Sequence, residues 1–284
     1  MRLILPVAAL AVPLLGCTTL QSPTPLPTAE WQAGVRLVSV LPESALPDGA
    51  VVLEGNEWVW LPSVSTARAV VDMLMPVPLV VSGVMNQVHQ GQAHQVSAWF
   101  SDLSPGKAVR SELMQRNTLG TTGKGVEASV FCFVQEGSDD HYRFALVAQL
   151  QDGSWSGRYV VHLPLALTLQ ELQRAKTNGE LKGALDAGAG QMADLFDKAA
   201  RGELSHNLAQ VTIGSLNLVS SKPNGVLPPT LITAKSALLL EEGTNHVIVR
   251  ISGDVNQAEG AGGLFFGVHY LLKSQLHTYE TSPA

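Results

Sequence analysis

The chain has 284 residues, 45% of them hydrophobic and 15% charged, with a formal net charge of −6. That length and apolar content support a packed core and exclude a disordered polar chain. The acidic balance and the lack of a polybasic run exclude nucleic acid as a partner and an electrostatic footing on anionic lipid.

Arg2 is the sole charge before Cys17, and an apolar run extends from Leu3 to Leu15. Such a run falls short of the ~20 residues that a spanning helix needs. Pro6 and Pro13 weaken it further as a helix. A positive start, a short apolar core and a small residue at the cut describe a secretory signal peptide. The run ends Leu14-Leu15-Gly16-Cys17, which resembles the lipobox of bacterial lipoproteins. The resemblance covers the leader alone. It implies removal of residues 1–16, a diacylglycerol on the Cys17 thiol and acylation of the new amine. Two or three acyl chains anchor stably where one is marginal. Thr18 follows; in Gram-negative sorting Asp at that place favours the inner membrane, so the resemblance implies an outer-membrane address facing the periplasm. Residues 17–30 read as a tether. Pro23, Pro25 and Pro27 favour an extended chain at about 3 Å per residue, a stand-off of roughly 30 Å.

Residues 31–125 read as a mixed segment. A strand is expected at 35–40. Val51-Val52-Leu53 and Trp58-Val59-Trp60 flank Glu54-Gly55-Asn56-Glu57, which suits a hairpin. Residues 69–85 are almost wholly apolar, with Asp72 the one charge. Pro76 and Pro78 argue against a spanning helix there. Core packing is one reading; contact of Val71, Leu74, Met75, Leu79 and Val80 with a membrane or partner is the other. Helical pieces are expected near 93–103 and 108–117.

Residues 126–284 carry the clearest β signal. Three alternating runs, 126–135, 141–150 and 155–163, joined by Glu136–Asp140 and Asp152-Gly153-Ser154, predict an antiparallel meander. Phe131, Phe133 and Val147 on its second face suggest that this face is covered too. Thr168-Leu169-Gln170-Glu171 fits a capping box and opens a helical stretch over 169–202, broken at Asn178-Gly179. Leu181, Leu185, Gly188, Met192, Leu195 and Ala199 form its apolar stripe. Its glycines suggest close approach to a sheet or second helix. Strands are expected again at 209–220, 230–240, 246–255 and 264–273. Strands, helix, strands with antiparallel connections predict an α+β fold: an antiparallel β-rich body with a central amphipathic helical segment. The two segments are read as one body.

Chemistry-bearing patterns do not hold together. Gly153-Ser154-Trp155-Ser156-Gly157 has Trp where a nucleophile elbow needs Ser. Ser104-Pro105-Gly106-Lys107 matches Ser-x-x-Lys, but Pro-Gly spoils the helical turn that would bring amine to hydroxyl. The Gly120–Gly125 loop lacks the spacing of a phosphate loop. His89 and His94 share no helix face, and Asp139-Asp140-His141 suits a turn. No four-ligand metal set and no dinucleotide fingerprint appear, so no cofactor is expected. If lipid occupies Cys17, then Cys132 is left without a disulfide partner and reads as a buried, inert thiol.

Three functions stay open. The first is an envelope lipoprotein, held in the membrane by Cys17, that binds a periplasmic protein or lipid partner or serves in assembly. The second is a lipoprotein hydrolase on cell-wall or lipid substrate, in which His141, His162 or His246 meets an acid and a hydroxyl. The third is a membrane-active or pore-forming component using residues 69–85 and the glycine-rich 260–267.

Overall fold

The computed structural model describes residues 25, 31–39, 50–53, 57–61, 97–120, 125–137, 139–153, 155–217, 232–251 and 267–281. In chain order these form β1 (Val35–Val38), β2 (Val51–Val52), β3 (Trp58–Leu61), α1 (Pro105–Gln115), β4 (Val126–Glu136), β5 (Tyr142–Asp152) and β6 (Trp155–Leu167). There follow α2 (Leu169–Thr177), α3 (Glu180–Ala200), β7 (Ala209–Ser215), β8 (Ile232–Glu242), β9 (His246–Ile251), β10 (Gly267–Leu272), a 3-10 turn (Lys273–Gln275) and β11 (Thr278–Thr281).

The meander β4–β5–β6 is the centre, and it pairs antiparallel along nearly its whole length. Both of its faces are buried. Val126, Ala128, Val130, Cys132 and Val134 face the helices, with Leu146, Tyr159 and Leu163 beside them. Phe131, Phe133, Ala145, Val147 and Val160 form a separate cluster on the other side with Val59. The near-continuous apolar runs of these strands follow from this two-sided burial.

The expected α+β fold, an antiparallel body with a central amphipathic helical segment, is overturned. The strands form one large mixed sheet of eleven, ordered β11-β7-β8-β9-β10-β6-β5-β4-β3-β2, with β1 also on β4. β1 and β3 run parallel to β4, end to end along its edge. β10 runs parallel to β6. The physical reason is connectivity. The chain from β3 to β4 passes through α1, and that from β6 to β10 passes through α2, α3 and three strands. Crossovers of that length permit parallel neighbours, whereas two-residue turns permit only antiparallel ones. The local turns of the sequence reported only the second kind.

Each helix has a legible local cause. Pro105 sits at the start of α1, and Ser104 caps it by accepting from the Lys107 amide at 3.1 Å. Proline is favoured at that first position because its missing N–H has no partner in any case. Pro-Gly therefore opens a helical turn here, contrary to the expectation that it would spoil one. Glu57, just before β3, accepts from Ser104 Oγ at 2.5 Å and the Gly106 amide at 3.1 Å, adding an anion at the helix N-terminus. The capping box of α2 is present as read, with Thr168 and Glu171 bonding reciprocally. Gly179 takes a left-handed φ of 81° between α2 and α3. The stripe Leu181, Leu185, Gly188, Met192, Leu195 and Ala199 is buried against the sheet.

Gly188 is a point of close approach of α3 to β6, since a Cβ there would overlap the Leu163 side chain. Gly183 faces open space. Gly188→Leu is expected to lower stability by about 1–3 kcal/mol through overpacking. Gly183→Ala is expected to raise it by up to about 1 kcal/mol through helix propensity. Urea unfolding of the two variants checks the opposite signs.

Candidate functional site

Cys17, Val71, Leu74, Met75, Leu79 and Val80, the residues singled out for lipid, membrane or partner contact, lie outside the described residues. The site that the described residues do form begins with an irregularity in β6. Arg143 pairs with Ala166, yet Ala145 pairs with His162, so β6 carries extra residues between them. Pro164 lies in that bulge, as expected of a residue with no N–H for a ladder. The bulge separates β6 from regular pairing and leaves a cleft of about 400 Å³ lined by Arg143, Pro164, Ala166, Asn217, Ser274 and His277, among others.

Gln275 on the 3-10 turn closes the cleft's inner side. Its side-chain amide donates to the Leu163 carbonyl at 2.9 Å and, more distantly, to that of His162 at 3.4 Å. Its Oε1 accepts from the Leu272 amide at 2.9 Å, and its backbone carbonyl accepts from Ser215 Oγ at 2.7 Å. One residue thus touches both β6 and the end of β7. In a flat sheet those strands, four places apart, would lie roughly 19 Å from each other. The C-terminal strands must therefore curl. They wrap their own core of Val211, Ile213, Leu239, Val247, Val249 and Leu271, and β11 closes on β7.

Two buried polar pairs lie on the helix-free face, one next to Gln275 of the cleft and the other farther along β6. His162 and His269 are 1% and 2% exposed. Their rings stack with centroids 5.3 Å apart, and Nε2 of His162 lies 3.0 Å from Nδ1 of His269. Burial pulls His162 down to about 4, against a weaker opposing influence of the Asn217 backbone. Among the described residues, Nδ1 of His162 has no hydrogen bond of good geometry. Arg158 Nε donates to Gln149 Oε1 at 2.9 Å, and burial pushes the guanidinium down to about 9. At the cleft's rim Arg143 clasps Asp139 with bonds of 2.8 and 2.7 Å, which hold the Asp139 carboxyl at about 2.

No family model, curated protein or solved structure matches the chain. The site's meaning rests on its own chemistry. His141 meets Asp139, whose carboxylate is already committed to Arg143. His246 meets Glu241 at 3.1 Å, which also pairs with Lys198, and it stacks on Tyr270. His162 meets His269. Among the described residues, none of these three histidines joins both an acid and a hydroxyl. No group of three or more His, Cys, Asp or Glu among the described residues is placed to hold a metal. No described helix is long and apolar enough to cross a membrane. Cys132 is fully buried and unpaired, and burial pushes its thiol far above the usual range.

Sequence reading missed the cleft, β11 and the His162–His269 pair. Pro164 inside an apolar run was the one signal for the bulge. Nothing in the chain places His162 beside a residue more than a hundred positions away.

Removing the Gln275 side chain leaves the Leu163 carbonyl and the Leu272 amide without their partners. Gln275→Ala is expected to cost about 1–3 kcal/mol in urea unfolding. Gln275→Glu, which sets a carboxylate against a carbonyl oxygen, is expected to cost more.

Proposed function

We propose that the chain is an envelope lipoprotein, anchored by lipid on Cys17, that acts as a periplasmic binding or assembly module. The observation that carries this reading is Leu14-Leu15-Gly16-Cys17, followed by the proline tether of residues 17–30. The cleft beside Pro164 is the seat for the partner. Its walls combine donors from Arg143, Asn217 and Ser274 with apolar surface from Pro164, Leu216 and Leu276. No carboxylate is among its lining residues. Such a wall suits a partner that presents acceptor oxygens on an apolar stem, whether an envelope protein segment or a lipid. The hydrolase reading draws no support from His141, His162 or His246, whose neighbours are described above.

Two linked measurements test the proposal. Labelling with radioactive palmitate is expected to mark the wild-type chain, and Cys17→Ser is expected to abolish the label and release the protein from membranes. A photocrosslinking amino acid in place of Leu216, which is 36% exposed at the cleft, is expected to capture a partner in cells. Ala166→Trp, which fills the cleft, is expected to remove that adduct. An unlabelled wild-type chain sinks the anchor, and an adduct indifferent to Ala166→Trp sinks the cleft.

A further inference from the structure

The sheet has two cores, and the seam between β6 and β10 holds a buried polar pair. The first packs the meander against the helices, and the second lies among β7–β11. Between the halves, β6 and β10 share three residue pairs among the described residues, Tyr159–Val268, Val160–His269 and Val161–Tyr270. The His162–His269 bond and the Gln275 bonds extend that ladder at one end. Apolar contact across the seam comes from Leu240, Ile248 and Val268, which reach the helix-side core. The Arg250 guanidinium also bonds the Leu204 carbonyl at 2.5 Å.

We propose that this seam is an acid-sensitive latch: protonating the His162–His269 pair loosens the hold of β10 on β6 while the core of β7–β11 and the β4–β5 ladder stay intact. The inference belongs to the fold and stands whether or not the cleft takes a partner.

Between two neutral imidazoles, one ring donates its N–H and the other accepts with its lone pair. A first added proton puts a cation in a buried site. A second leaves two N–H groups facing each other at 3.0 Å with no acceptor between them. The surroundings oppose both steps. On the same face β6 supplies the Arg158 guanidinium, and β5 supplies Arg143, paired with Asp139. The residues paired with His162 and His269 on β5 and β9 are Ala145 and Val249, which carry no charge. The 3-10 turn brings Gln275 and Lys273, the latter paired with Glu242, and the chain beyond it brings His277. The end of β7 brings Ser215 and Asn217. Arg250 and Tyr270 alternate to the helix side of β9 and β10. No carboxylate among the described residues acts on His162.

The sign follows from burial. His162 is neutral in the closed seam down to about pH 4, whereas an exposed imidazole takes its proton near 6.5. The latch is therefore whole above about pH 6.5 and weakens as pH falls towards 4.

Hydrogen exchange of the full chain at pH 7.5 and 5.0, corrected for intrinsic rates, tests this. Amides of 159–163 and 268–272 are expected to open roughly tenfold or more at the lower pH. Amides in the β4–β5 ladder are expected to hold. His162→Gln with His269→Asn keeps an amide bond in place of the ring pair without a titrating group, and is expected to abolish the change. His162→Gln alone serves if the double variant does not fold. Seam amides indifferent to pH, an equal rise in β4–β5, or an undiminished change in the folded variant each overturn the latch.

Discussion

Burial of the β4–β5–β6 meander on both faces is the constraint on which the rest of the structure depends. A sheet with one wet face tolerates polar side chains on alternate positions. Here Cys132 and Phe133 point to opposite sides and are both fully buried. A polar group on these strands is then under pressure to find a partner inside the protein, because an unpaired buried group costs about 1–3 kcal/mol. Arg158 meets Gln149, His162 meets His269 and Arg143 meets Asp139. The first and third of these pairings tie the meander to itself, and the histidine pair joins it to β10.

The bulge at Pro164 turns that constraint into a shape. A regular β6 would have carried its ladder to the end, with no room between it and the C-terminal strands. The extra residues release backbone carbonyls at 162 and 163, which Gln275 then satisfies. The same glutamine ties β6 to β7 through Ser215. The curl of the sheet, the second core and the cleft are thus consequences of one local irregularity and one side chain that repairs it.

Much of this was legible locally. The meander, the β2–β3 hairpin, the capping box at Thr168 and the buried stripe of α3 all sit in short windows whose periodicity and turn residues carry the information. Gly188 was legible as a point of close approach, though against Leu163 of β6 and not at every glycine of the helix. The mixed character of the sheet was not legible. Parallel pairing of β3 with β4 and of β10 with β6 joins segments far apart in sequence, and neither strand advertises its neighbour. β11 escaped because Thr-Tyr-Glu-Thr has no apolar alternation and takes its partner from β7. The cleft draws on four separated segments, so only its proline left a local trace.

The histidine pair is better understood as a register device than as a source of stability. Two well-packed aliphatic side chains would fill the same space without desolvating polar rings, and such replacements are commonly neutral or favourable. What they would not do is distinguish one register from the next. The β6–β10 ladder is three pairs long, and Val268, Tyr270 and Leu271 could satisfy apolar neighbours in more than one alignment. A slip of one residue flips every side chain to the opposite face. It would turn His269 into the helix-side core beside Tyr159 and Val161, away from His162. A buried imidazole without a partner makes that alignment costly, while Val268 moving the other way would leave His162 facing an isopropyl group. The polar pair therefore selects the alignment that apolar burial alone leaves degenerate. The same chemistry that enforces the alignment, two nitrogens sharing one hydrogen in a buried site, is what a proton undoes.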